Sequence, residues 1–127
     1  MVRKILTATN ASSSGPYSHA VDAGDYVFFS GQTAKNADDA PDMTGDIAAQ
    51  TKQCFDNLFN VMAQSDLTSD DVVKVNVYLT TMKNFDAMND VYKLQFKAPF
   101  PARTCVAVSE LPLAAEVEIE MIAKRSK

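Results

Sequence analysis

The stretch Phe100-Pro-Ala-Arg103-Thr-Cys105-Val-Ala-Val-Ser-Glu-Leu-Pro112-Leu-Ala-Ala-Glu-Val-Glu118-Ile-Glu-Met-Ile-Ala123 decides the reading of this chain. It holds two β-runs, Arg103–Ser109 and Glu116–Ala123, on either side of a proline-containing loop. Successive side chains on a strand point to opposite faces. In the last run Val117, Ile119 and Met121 therefore face one way, under whatever covers the sheet, and Glu116, Glu118 and Glu120 the other. In the preceding run Arg103, Cys105, Ala107 and Ser109 share a face. That face is small and polar and suits a cleft or subunit boundary better than a core. An arginine fork holds a small carboxylate with two parallel bonds. A nearby carboxylate orients or deprotonates a water. The two together outline a site for a small, negatively charged organic acid.

Upstream, Arg3–Ala8 reads as a short opening strand, followed by a turn-rich loop from Asn10 to Pro16. Ser18–Ala23 and Asp25–Gly31 read as strands with Gly24 as the turn between them. Tyr26-Val-Phe-Phe-Ser30 is a nearly continuous apolar run, typical of a well-buried strand. Lys35–Gly45 is polar and reads as an exposed loop. Over Asp46–Ser65, the residues Ile47, Thr51, Cys54, Phe55, Leu58, Phe59 and Met62 recur at three- and four-residue steps, giving a helix with one apolar stripe. Thr68–Asp71 has the form of a capping box. Val72–Thr80 alternates, with Val73, Val75, Val77 and Leu79 on one face. A second helix spans Asn84–Phe96, with Phe85, Met88, Tyr92 and Phe96 on one side and Pro99 and Pro101 beyond its end. The order β-β-β-α-β-α-β-β is an α+β pattern in one domain, residues 1–127. Two helices cover one face of such a sheet, so the other is solvated or buried in an oligomer.

Composition bounds the function. The chain has 127 residues and a net charge of −4, which argues against a sequence-independent grip on nucleic acid. Lys124, Arg125 and Lys127 form the one basic cluster and read as a solvated terminus. Cys54 and Cys105 lie in no metal-type spacing, and with His19 as the sole histidine no zinc site is expected. No apolar run suits a signal peptide or a membrane span, so a cytosolic protein with reduced thiols is expected.

Gly15-Pro-Tyr17-Ser18, Ser30-Gly31-Gln32, Phe100-Pro-Ala-Arg103-Thr-Cys105-Val, Leu111-Pro112 and Val117-Glu118-Ile-Glu-Met-Ile-Ala occur in that order. At these spacings the chain closely resembles the RidA family, also called YjgF/YER057c/UK114, over nearly its whole length. The resemblance implies a chorismate-mutase-like α+β fold: a six-stranded mixed sheet with two helices on one face, and the last strand placed centrally. It implies a homotrimer with the sheets inside and clefts between subunits. Members that keep the arginine act as imine deaminases, converting 2-aminoacrylate-like enamines and 2-imino acids to 2-oxo acids and ammonia. No cofactor or metal is implied.

Carried onto this sequence, Arg103 binds the substrate carboxylate; the alternative is a surface salt bridge to a glutamate. Glu118 orients water and accepts its proton, and Glu120 is a decoy two residues on. Tyr17 closes the cleft or is an interface aromatic. Cys105 offers its backbone N–H rather than a nucleophile, since no histidine lies near to activate it. Ser30 and Gly31 offer a hydroxyl and a closely approaching backbone N–H. Asn89, Phe85 and Phe100 are further candidates to line the site, with the core as the alternative place for the two phenylalanines. Two departures stand out: Ala114 replaces a common glycine and implies an ordinary negative φ, and Glu116 adds negative charge near the cleft. Two other classes compete with the deaminase. One is a small-carboxylate-binding regulatory module without turnover. The other is a ribonuclease or translation inhibitor, disfavoured by the acidic balance.

Overall fold

In a computed structural model, residues 2–7, 15–36 and 41–126 are described. Ala8, the 10–14 part of the first loop and the 37–40 part of the second lie outside them. The strands are β1 (Lys4–Leu6), β2 (Ala20–Asp22) and β3 (Tyr26–Thr33). Helix α1 (Ile47–Met62), β4 (Val72–Leu79) and helix α2 (Phe85–Tyr92) follow, then β5 (Ala102–Ala107) and β6 (Val117–Lys124). They form one six-stranded sheet in the order β1-β2-β3-β6-β4-β5. Only the β4–β5 pair is parallel. The last strand thus lies between β3 and β4, rather than beside the strand that precedes it in sequence.

The α1 helix starts where Asp46 caps it, its carboxylate accepting from the Ala49 N–H at 3.0 Å. Asp46 is therefore the cap rather than the first helical residue. At the other end, Ala63–Ser65 tightens to a single 3-10 turn. The expected stripe is buried: Cys54, Phe55, Leu58 and Met62 are at most 1% exposed. They meet Val75, Val77, Leu79, Val117, Ile119 and Met121 across the sheet. Helix α2 ends at Tyr92, four residues before the expected end, and the chain continues in turns to a buried Phe96. Phe55, Tyr92 and Phe96 then pack edge to face or tilted, with centroids 5.3–5.7 Å apart. A capping box at Thr68 and Asp71 opens β4.

Two strands depart from the sequence reading. In β3, Val27 and Phe29 are buried but Tyr26 and Phe28 are 43% and 47% exposed. The run is thus a half-buried strand, because both helices lie on the same face. In β4 the register against β6 shifts between Val72 and Lys74. Val73 sits at that bulge and is 40% exposed, and Val72 takes the inward place.

The loop before β6 contains a second correction. Leu113 and Ala114 have φ of 60° and 56°, so Ala114 occupies the left-handed region. An L-residue there carries about 1–2 kcal/mol of steric cost. Glu116 also departs from expectation. Its carboxylate accepts from the Gly45 N–H (2.6 Å) and the Gln50 amide (3.0 Å), tying the α1 entry to β6 instead of joining Glu118 and Glu120. Relief of the strained position, offset by the entropy of a freer unfolded chain, sets the expectation for Ala114→Gly. It should raise the unfolding free energy by about 0.5–1 kcal/mol in urea titration.

Candidate active site in two halves

The arginine half is built on the sheet edge. Arg103 on β5 is the register partner of Val75, which in turn faces Met121. Those partners are buried under the helices, so Arg103 and Cys105 point to the helix side of the sheet. A cleft or subunit boundary was expected for this face: Arg103 does line a pocket, while Cys105 packs against the core. The guanidinium lies 4.6 Å from the Tyr92 ring centre and 5.5 Å from that of Phe85. Its Nη1 donates to Asn89 Oδ1 at 2.5 Å. Phe85, Asn89 and Tyr92 are four and three residues apart, so one face of α2 supplies all three contacts. No carboxylate of the described residues forms an ion pair with Arg103, so it is not a salt bridge to a glutamate. Arg103, Asn89, Tyr92, Lys93, Phe100 and Pro101 line a pocket of about 370 Å³. Burial raises the Cys105 thiol, against the opposing pull of Arg103, which does not favour a thiolate.

The carboxylate half lies on the opposite, open face. Glu118 is the register partner of Tyr78 on one side and Thr33 on the other. Between Phe29 and Gln32 the β3 register shifts, placing Ser30 and Gly31 in a bulge beside it. A Cβ on Gly31 would stand 2.6 Å from Glu118 Oε1, so glycine is what lets this carboxylate lie against the strand. Ser30 donates its hydroxyl to the Ser18 carbonyl at 2.6 Å, and its N–H to the His19 carbonyl at 2.9 Å. The hydroxyl proton is therefore engaged within the fold, which leaves the oxygen as an acceptor. Through Ser18 the bulge anchors the segment that presents Tyr17, itself 38% exposed. Burial and the neighbouring Glu120 charge raise the proton affinity of Glu118 above the ordinary glutamate range.

Within one chain the structure brings together Arg103, Asn89, Phe85 and Phe100. It separately gathers Glu118, Ser30 and Gly31, with Tyr17 on the adjoining segment. It does not join Arg103 to Glu118. They lie on opposite faces, with β4 between their strands. Sequence reading missed Tyr92, which it placed only in the core stripe. Its spacing from Phe85 and Asn89 was the available signal. It also missed Asn76 and Tyr78, whose relation to β6 depends on a non-local register.

A six-stranded mixed sheet with two helices on one face and a polar cluster on each side defines the class: an α+β protein of the Rid type. Residues 7–125 match the family described as "Endoribonuclease L-PSP", and the chain belongs to this YjgF/RidA family. It is 45% identical over 108 residues to the 2-iminobutanoate/2-iminopropanoate deaminase of Dermatophagoides farinae, covering 85% of this chain and 84% of that one. It is 43% identical to the mitochondrial protein MMF1 of Saccharomyces cerevisiae, over 84% of this chain and 73% of the relative. Among solved structures, Escherichia coli TdcF with bound serine superposes with a TM-score of 0.89 at 34% identity, covering 97% of this chain and 99% of the other. Among the described residues, no helix is long and apolar enough to cross a membrane.

The Tyr92 hydroxyl is buried without a partner among the described residues, and the ring supports Arg103. Tyr92→Phe should therefore leave the unfolding free energy unchanged or raise it by about 1 kcal/mol. Tyr92→Ala should lower it by about 3–5 kcal/mol, both read by chemical denaturation.

Proposed function

We propose that this protein hydrolyses 2-imino acids, and the enamines that tautomerise to them, to 2-oxo acids and ammonia. The observation that carries the reading is an arginine with no ion-pair partner among the described residues, held by neutral groups in an aromatic-walled pocket. That arrangement suits a carboxylate arriving from outside. The 45% identical deaminase and the serine-bound TdcF support the same ligand class.

Arg103 takes the substrate carboxylate, with the Cys105 backbone N–H as a further donor. Phe85, Phe100 and Asn89 shape the pocket. Glu118 accepts a proton from water as its oxygen bonds to the imine carbon. The resulting carbinolamine expels ammonia, with protons returned to the nitrogen, and the 2-oxo acid remains. Tyr17 closes over the reacting group, and Ser30 and Gly31 border Glu118. Because Arg103 and Glu118 lie on opposite faces of one sheet, a site using both requires two copies. A homotrimer with sheets inside and a cleft at each boundary supplies that geometry. The reaction as written uses no metal or cofactor.

A binding module for small carboxylic acids is the second reading, favoured by the serine held by TdcF. The ribonuclease reading draws on the family description, but His19, the sole histidine, is 8% exposed and its Nδ1 is hydrogen-bonded to Thr7 Oγ1.

A coupled assay tests the proposal, with a pyridoxal-phosphate dehydratase supplying the imine and 2-oxo acid release followed. Wild type should accelerate release. Arg103→Ala should abolish the acceleration, and Glu118→Gln should slow turnover by about 10²–10⁴-fold while still binding 2-oxo acids. Co-assembling the two inactive variants should recover a measurable fraction of activity, whereas a one-chain site would recover none. Binding by wild type without acceleration would establish the module instead.

The raised proton affinity of Glu118 also sets a pH dependence. The base works only when ionised, so activity is present above its titration and lost as pH falls through it. The acid limb of kcat/KM should therefore sit above about pH 4.3, the ordinary glutamate value.

A further inference from the structure

The open sheet face carries a second carboxylate whose surroundings differ from those of Glu118. Glu120 Oε1 accepts from the Tyr78 hydroxyl at 2.6 Å and from the Asn76 amide at 3.0 Å. Tyr78 is the register partner of Glu118, not of Glu120. Its hydroxyl therefore reaches diagonally along the face, and the phenol bridges the positions of the two acids. The Glu118 carboxylate accepts no hydrogen bond among the described residues. The two acids lie two residues apart on one face, roughly 7 Å along the strand. One is thus fixed as an acceptor by two donors, and the other keeps its lone pairs for a water.

We propose that Glu120, pinned by Tyr78 and Asn76, is a positioning residue that holds a fixed negative charge beside Glu118 and makes Glu118 a stronger base for water. The proposal rests on the hydrolytic reading above.

The two donors fix where the Glu120 carboxylate lies on the face. A like charge beside a second carboxylate opposes its ionisation, so that second group holds a proton more tightly and takes one more readily from water. The phenol shows the same coupling from its side: its bond to Glu120 pushes Tyr78 up to about 12. Tyr17 lies on the segment anchored through Ser18, and in the proposed two-copy cleft the Arg103 of a second copy would face Glu118 and oppose the shift; both are unchanged in Glu120 variants, so comparison with wild type isolates Glu120. Lys74 on β4 shares the open face, but its Nζ donates to Thr104 Oγ1 on β5. On β6, Lys124 lies over the Tyr26 ring of β3, six residues from Glu118. Cys54 of α1, on the helix side, is fully buried with its thiol held neutral. Across from Glu118, β3 presents Thr33, and Val106 of β5 lies in the same row; neither is charged.

The test follows the side-chain carboxyl carbon of Glu118 by carbon-13 NMR across pH, alongside the pH profile of kcat/KM. Glu120→Gln, which keeps the acceptor and removes the charge, should move the Glu118 titration and the acid limb down together. A shift of about half a unit to one unit is expected for a charge at this distance in a half-solvated site. KM should change little, and kcat should fall. Glu120→Asp, which keeps the charge, should restore most of the upward displacement. An unmoved Glu118 titration in Glu120→Gln, with turnover intact, would overturn the proposal. Glu120→Ala tests it if that variant fails to fold, since an unmoved Glu118 titration there would also overturn it. Absence of turnover by wild type would instead remove the hydrolytic reading, whatever the carboxylates do.

Discussion

The rest of the structure depends on β6 being inserted between β3 and β4. A central strand has neighbours on both edges, so every second side chain must find apolar cover on one face. Val117, Ile119 and Met121 do so beneath α1, at 0%, 0% and 2% exposure. The intervening residues are left on the uncovered face, and two of them are glutamates. The same insertion sets Tyr78 opposite Glu118 and Asn76 opposite Glu120. It also brings the β3 bulge against Glu118, where a side chain at position 31 would collide with the carboxylate. One topological fact thus determines both the core and the polar array.

The two halves of the candidate site are consequences of strand alternation. Arg103 belongs to the row of Val75 and Met121, and Glu118 to the row of Tyr78 and Val106, an odd number of residues away along β6. Odd steps on a strand reverse the face. No local adjustment of either side chain would unite them within one sheet, because the sheet itself stands between. The separation is therefore built into the fold.

Most elements were legible in the sequence because their signals are local. The α1 stripe, the Thr68–Asp71 box and the alternation of β6 each need only a few neighbouring residues. What escaped was non-local. The bulge at Val73 is a register slip against β6, invisible from β4 alone. The outward turn of Tyr26 and Phe28 follows from both helices choosing one face. Ala114 was read as having an ordinary backbone, yet the loop entering β6 imposes the left-handed conformation on it. Glu116 was read by parity as a neighbour of Glu118, but it stands just before the strand and reaches Gly45 and Gln50 instead. For the site, the sequence and the family resemblance singled out Arg103 and Glu118 individually. Their opposite faces, and the support from Tyr92, required the assembled sheet.

The way Arg103 is held has a consequence for recognition. Its position is fixed by an amide oxygen and two aromatic faces, none of which carries a formal charge. A guanidinium locked by a carboxylate would have its field largely cancelled, and an incoming anion would first have to displace that internal competitor. Within one chain the orientation is set during folding with no carboxylate of the described residues on the guanidinium, so a carboxylate bound as proposed would meet a cation already aimed. Selectivity for anions in this pocket is then a matter of fit to the aromatic walls rather than of winning an exchange.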